Sequence, residues 1–345
     1  MSSALNDSLP GLLKATSRSF YLTLRVLPGA IRPQIGLAYL LARTTDTIAD
    51  TEIVPPAQRL EALQRLSGRI SGQSSASLDF GQLAQHQASP AEKLLLEKVE
   101  TSLAALQKFP EADQKLIRAV LETIISGQEL DLQRFAGASV KGIIALRSES
   151  ELDDYTYRVA GCVGGFWTKM CRAHLFPGAA IDETKLIADG IRFGKGLQLV
   201  NILRDLAVDL RKGRCYLPAE KLAEISVSPA DLLESSNESR LRPLYDHWLD
   251  AAESHLKAGW VYTNSLPAGQ IRVRLACAWP ILIGVSTISR LRSGRILDPA
   301  RRIKVPRNEV KWMMLRSVVS YPFPGAWQKQ FEFHGKAVAS DADLA

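Results

Sequence analysis

Apolar residues along the chain recur mostly at spacings of three and four, the repeat that lays one apolar stripe on a helix. Segments that alternate with period two are few and β-branched runs are short, so strands have little support. The pattern predicts helices over 17–27, 30–50, 56–70, 91–109, 111–135, 151–176, 184–212, 237–263, 270–291 and 308–319. Ser17 is a candidate N-cap for the first, and Pro28 and Gly29 break it. Gly213 follows Arg211 and Lys212, so the longest of these helices should end there. Residues 71–90 are rich in Ser, Gln and Gly and read as a surface loop inside one domain. Flexible ends are expected over 1–9 and 335–345, with the domain over 10–334. The expected fold class is all-α: a single-domain helical bundle around a central apolar cavity.

Polar residues inside two of these helices do not scatter. Gln198, Asn201, Asp205 and Asp209 are three, four and four apart, so they share one face. Leu199, Ile202 and Leu206 form the neighbouring apolar row. Asp46 and Asp50 are also four apart, with Arg43 one turn ahead. If the two helices face each other, four carboxylates meet across a cleft. They would repel and raise each other's pKa unless cations sat between them. The economical reading is a pair of helices that clamps a magnesium–diphosphate group. A third pair, Asp246 and Asp250, lacks an amide or arginine stripe and reads as the wet face of an amphipathic helix. The helix over 111–135 carries one small polar cluster, Gln128, Glu129 and Asp131.

Composition is that of a globular protein: 345 residues, 46% hydrophobic and 23% charged. The net charge of +7 calls for an anionic partner. No nucleic-acid-binding signature is present and the aromatic residues are not interleaved with the basic ones. No nucleic acid is therefore expected; an anionic substrate or an anionic membrane surface is. Cys162, Cys171, Cys215 and Cys277 show no metal or redox spacing and read as reduced, buried thiols. The start of the chain has no basic region followed by an apolar one, so no signal peptide is expected. The longest apolar run, 276–288, is short for a membrane span and suits a buried helix. A cytoplasmic protein without a transmembrane anchor, peripheral at the inner membrane face, is the expectation. The five histidines suggest no zinc site, and no Ser nucleophile elbow, P-loop or dinucleotide-binding glycine motif occurs.

Other residues carry two readings each. Arg18, Ser19 and Tyr21 could bind diphosphate oxygens or be a solvated helix start. Arg204 could do the same or pair with Asp205, and Arg214 lies just past the helix end. Tyr155, one turn before Arg158, is a cavity-edge tyrosine able to stabilise a cation or move a proton, or else a wall residue. Ala160, Gly161, Gly164 and Gly165 put small residues on adjacent turns. Each glycine costs a helix about 1 kcal/mol, so either a neighbouring backbone or a ligand comes close. The basic run 290–311 is a solvated face, a cofactor-phosphate site or a lipid contact.

SRSF, ARTTDTIAD, YTYRVAGCVGG and QLVNILRDLAVD, in that order, resemble the squalene/phytoene synthase family, from about Thr16 to Leu315. DTIAD and the VAG segment look more like squalene synthases. Val208 stands where many of those carry an extra acidic residue. The resemblance implies an all-α isoprenoid-synthase fold and head-to-head condensation of two farnesyl diphosphate molecules by a monomer. It implies Mg2+ on Asp46, Asp50, Asn201, Asp205 and Asp209. Diphosphate contacts would come from Arg18, Ser19, Phe20, Arg43, Gln198, Asn201, Arg204 and Arg214. Tyr155 matches the tyrosine that assists the first half-reaction. Lys304 and Arg307 fall where reductase members place basic residues near NADPH. Three outcomes stay open: squalene made with NADPH, phytoene or dehydrosqualene made without it, and a non-catalytic assembly factor that keeps the fold.

Overall fold

The chain is described by a computed structural model covering residues 9–17, 20–300 and 303–336. Its internal contacts divide it into two compact units. One is Met1–Ala136 with Phe166–Gly178; the other is Gly137–Gly165 with Ala179–Ala345.

The first unit contains α1 (Leu9–Thr16), α2 (Phe20–Val26), α3 (Arg32–Asp50), α4 (Pro56–Ser71), α5 (Gly81–Gln85), α6 (Pro90–Glu97), α7 (Val99–Leu106) and α8 (Glu111–Arg134). Its core is the predicted apolar stripes: Leu41 and Ile48 of α3, Leu63 and Leu66 of α4, Ile117 and Leu121 of α8. Leu12, Leu40 and Leu95 bring α1, α3 and α6 together. Three expectations change here. Ser17 lies at the end of α1: its backbone N–H and its hydroxyl both donate to the Leu13 carbonyl, and the next helix begins at Phe20. The 91–109 segment is two helices, with Lys98 between them at φ −100°, ψ 16°. Residues 71–90 are not simply a surface loop. Leu78, Phe80, Leu83 and Ala84 are buried and α5 forms among them, because four apolar groups spaced through a polar stretch are enough to pin it to the core.

The second unit contains β1 (Ile144–Ala145), α9 (Glu149–Thr156), a π-helical turn (Tyr157–Gly161), the start of α10 (Cys162–His174), α11 (Glu183–Arg211), β2 (Arg214–Cys215) and α12 (Ala219–Glu224). It continues with α13 (Glu238–Ser265), α14 (Ile271–Ser293), α15 (Arg307–Ser320), α16 (Pro324–Gln328) and α17 (Gln330–Lys336). The two strands pair in parallel, Ile144 with Arg214 and Ala145 with Cys215. Among the described residues they form the one named sheet. Ser148 and Asp182 cap α9 and α11 by accepting the backbone N–H groups of Glu151 and Lys185. Helix α14 is long and apolar enough to cross a membrane by length and composition. However, 72% of its apolar window is buried inside the protein, as expected for a core helix. The four cysteines are unbridged and buried, and burial pushes the Cys162 and Cys215 thiols up to about 12, which keeps them unreactive.

The small residues before α11 serve backbone packing. A Cβ on Gly164 would stand 1.9 Å from the Gly190 carbonyl oxygen, and one on Gly194 would stand 2.3 Å from that of Ala160. The helices therefore touch backbone to backbone, and the predicted continuous helix 151–176 takes a π turn beside the contact. At Gly165 a Cβ would meet only Ile187 Cγ2, at 3.9 Å. Gly164→Ala should thus lower stability by about 3 kcal/mol. Gly165→Ala should stay within about 1 kcal/mol of wild type. Chemical denaturation of both variants checks the contrast; equal losses would contradict it.

Candidate active site

In the first unit the last two turns of α3 present Arg43, Asp46 and Asp50. Helix α8 sends Gln128, itself buried, to donate a hydrogen bond to Asp46 Oδ1. Arg43 lies 3.9 Å from Asp46 Oδ2, while its Nη2 donates to Glu92 of α6. The Asp46 side chain keeps 46% of its surface. Desolvation and the charge of Asp50 push its pKa from 3.8 up to about 6, against the pull of Arg43 and Gln128. Gln128 Oε1 and Arg43 Nε are buried and have no hydrogen-bond partner among the described residues.

In the second unit α11 carries the other polar face. Leu199, Ile202 and Leu206 are buried, while Gln198, Asp205 and Asp209 are half-buried and Asn201 is exposed. Arg204 holds Asp205 in a two-point pair, Nε to Oδ1 at 3.0 Å and Nη2 to Oδ2 at 2.6 Å. Gly213 ends the segment at φ +82°, and a Cβ there would stand 2.2 Å from the Ser139 amide nitrogen, so only glycine fits. The turn leads Arg214, half-buried, into β2. Next along the chain, Tyr216 stacks on Tyr155, ring centroids 4.8 Å apart at 26°. Tyr155 itself is half-buried, with Arg158 paired to Asp154 at 2.8 Å.

The expected metal ligands therefore fall into two local groups, one on each acidic helix. Arg18 and Ser19 lie outside the described residues, and so does the side chain of Phe20. Lys304 and Arg307 are exposed, just before α15 and at its first residue. The third carboxylate pair is a surface ion-pair face: Asp250 sits 2.6 Å from Arg292 and Asp246 3.9 Å from Arg242. Two residues outside the expected set, Gln128 and Glu92, hold Asp46 and Arg43 in place. The polar cluster at 128–131 was the one signal for the first; for Glu92 the sequence offered none.

Among the described residues no group of three or more His, Cys, Asp or Glu gathers to hold a metal ion alone. Carboxylates in pairs still fit Mg2+, which is usually held by one or two carboxylates and completes its shell with water and phosphate oxygens. A desolvated carboxyl with its charge only partly balanced is a donor that a hard cation would stabilise.

Carboxylate pairs on two long helices of an all-α chain mark the isoprenoid-synthase class of fold. The squalene/phytoene synthase profile matches residues 13–309. A bifunctional lycopene cyclase/phytoene synthase of Pyrenophora tritici-repentis is 30% identical over 90% of this chain and 51% of its own length. This chain thus spans about half of that relative. A presqualene diphosphate synthase of Zymomonas mobilis is 28% identical over 91% of this chain and 94% of its own. Among solved structures, TcSQS in complex with the ligand E5700 superposes with a TM-score of 0.77 at 20% identity, covering 95% of this chain and 90% of that one. The chain belongs to the squalene/phytoene synthase family. Members of that family are prenyltransferase-type enzymes that bind prenyl diphosphates and use a divalent metal to do so.

The shifted carboxyl sets a pH signature for the metal-free protein. Because the Asp46 pKa rises on folding, the folded state binds more protons between pH 3.8 and about 6. The group therefore destabilises the fold progressively as pH rises through that window, and fully above it. Asp46→Asn should raise the metal-free melting temperature at pH 7.5 by about 1–3 °C, with the gain vanishing near pH 4. Thermal melts at the two pH values check it.

Proposed function

We propose that the protein joins two farnesyl diphosphates head to head into a cyclopropyl (presqualene) diphosphate and reduces this to squalene with NADPH. The observation that carries the reading is the Asp46–Asp50 pair, in which the charge of Asp50 helps push the Asp46 carboxyl up to about 6; a cation-bound diphosphate suits such a pair. Asp205 and Asp209, with Asn201 beside them, form the second such face. Asp205, now paired with Arg204, would hold the metal, and Arg204 would then turn to a diphosphate oxygen. When bound, Mg2+ offsets the charge of the departing diphosphate and lowers the barrier to ionisation.

The chain's own residues do the rest. Arg43, Gln198, Arg204 and Arg214 orient diphosphate oxygens. The Tyr155 ring, braced by Tyr216, faces the allylic cation. Its hydroxyl moves the proton that leaves when the second substrate's double bond closes the cyclopropane. Exposed cations at Lys304 and Arg307 suit the extra phosphate of NADPH, which supplies hydride to the final cation. The reaction is assigned to a cytoplasmic monomer.

A second reading, release of the cyclopropyl diphosphate itself or a hydrocarbon made without hydride, is favoured by the names of the relatives, presqualene diphosphate synthase and phytoene synthase. Product analysis separates them. With farnesyl diphosphate and Mg2+, adding NADPH should convert the product from the cyclopropyl diphosphate to squalene. Replacing Lys304 and Arg307 with Ala should raise the NADPH needed. An identical product with and without NADPH would overturn the reductive half.

A further inference from the structure

We propose that the outward face of α15 and the turn after it docks the protein on an anionic lipid bilayer. Helix α15 turns several large apolar side chains outward. Its inward seam is Met313, Ser317 and Ser320, with Ser317 accepting a hydrogen bond from Trp279 Nε1 at 2.9 Å and Ser320 accepting one from Gln330 Nε2 at 3.1 Å. Its outward stripe is Trp312, Leu315 and Val319, continued by Phe323, which are 67%, 53%, 61% and 63% exposed. Steps of three and four keep the first three on one line, and Phe323 lines the same groove. Isolated apolar residues on a surface need no explanation, but a continuous stripe does.

Charge says what covers it. From Val310 to Phe331 the chain holds Lys311, Arg316 and Lys329 and no Asp or Glu. The stripe and two of these cations line one open groove of 590 Å³. The nearest preceding carboxylate, Glu309, is taken up by Arg290. Glu332 is the next carboxylate beyond the groove, so an apolar stripe with an aromatic anchor and a mainly cationic rim matches the acyl–headgroup boundary of a membrane bearing negative lipids. The guanidinium of Arg316 lies 3.4 Å from the Phe333 ring centroid, so its cation stays beside apolar surface. Of the basic run 290–311, Arg290 pairs with Glu309, and Arg292 pairs with Asp250 and Glu253.

Flotation of the full chain with vesicles of neutral phosphatidylcholine, or of the same lipid with phosphatidylglycerol, tests the proposal at low and high salt. Binding is expected to the anionic vesicles alone and to be reversed by salt. Changing Lys311, Arg316 and Lys329 together to Gln should weaken it about 100-fold. The double variant Trp312→Ser, Phe323→Ser should weaken it about tenfold or more, with helicity and turnover in solution unchanged. Three results would each overturn the proposal: equal binding to neutral and anionic vesicles, binding indifferent to both sets of variants, and a solution dimer that the double variant splits. In the last case a second copy of the chain covers the face.

Discussion

Asp46 and Asp50 stand one turn apart at the end of α3, close enough for the charge of Asp50 to raise the Asp46 pKa. The cation beside Asp46 is Arg43, and Arg43 is shared: one end lies 3.9 Å from Asp46 and the other is bonded to Glu92. Gln128 adds one hydrogen bond from α8. These contacts fix where the carboxyl sits without fully balancing its charge, so its pKa settles at about 6. Such a group opposes folding, and the rest of the unit has to be stable enough to hold it. Leu41, Ile48, Leu63, Leu66, Ile117 and Leu121, all buried, provide the apolar contact that does so. The pair on α11 is poised differently. Asp205 is matched by Arg204 through two hydrogen bonds, so its own charge has a close cationic partner.

Steric fit plays the corresponding part in the second unit. Gly164 and Gly194 let two backbones come within contact, and Gly213 lets the chain turn against Ser139. The turn places Arg214 and Cys215 in a short ladder with Ile144 and Ala145. Ser148 then starts α9, and Tyr155 arrives one ring-width from Tyr216. The tyrosine is therefore set by a chain of backbone constraints, none of which is itself catalytic.

Much of this was legible in the sequence. The all-α class followed from the three–four spacing, and both carboxylate pairs and the Gly213 stop stood out as residue types at helical intervals. The third pair, Asp246 and Asp250, was separated from the other two by its plain surroundings, and it is an ion-paired surface. What escaped depends on contacts far apart in the chain. Gln128 reaches Asp46 across 82 residues, and Glu92 reaches Arg43 across 49; no local pattern announces either. The glycines near 161–165 left packing and ligand approach open until the Gly190 carbonyl was located. Ser17 has the right chemistry for a cap, but its hydroxyl donates back to Leu13 at the end of α1. The helix at 81–85 was hidden by the serines and glutamines around its few apolar residues.

The central claim is that the carboxylate pairs take diphosphate through a divalent cation. Calorimetric titration with inorganic diphosphate, in the presence and absence of Mg2+, measures that directly and without regard to product. Binding should require Mg2+, and Asp46→Asn and Asp205→Asn should each weaken it by about 100-fold, the order of losing a buried charge-assisted ligand. Equal binding without the metal, or binding that ignores both substitutions, would contradict the account.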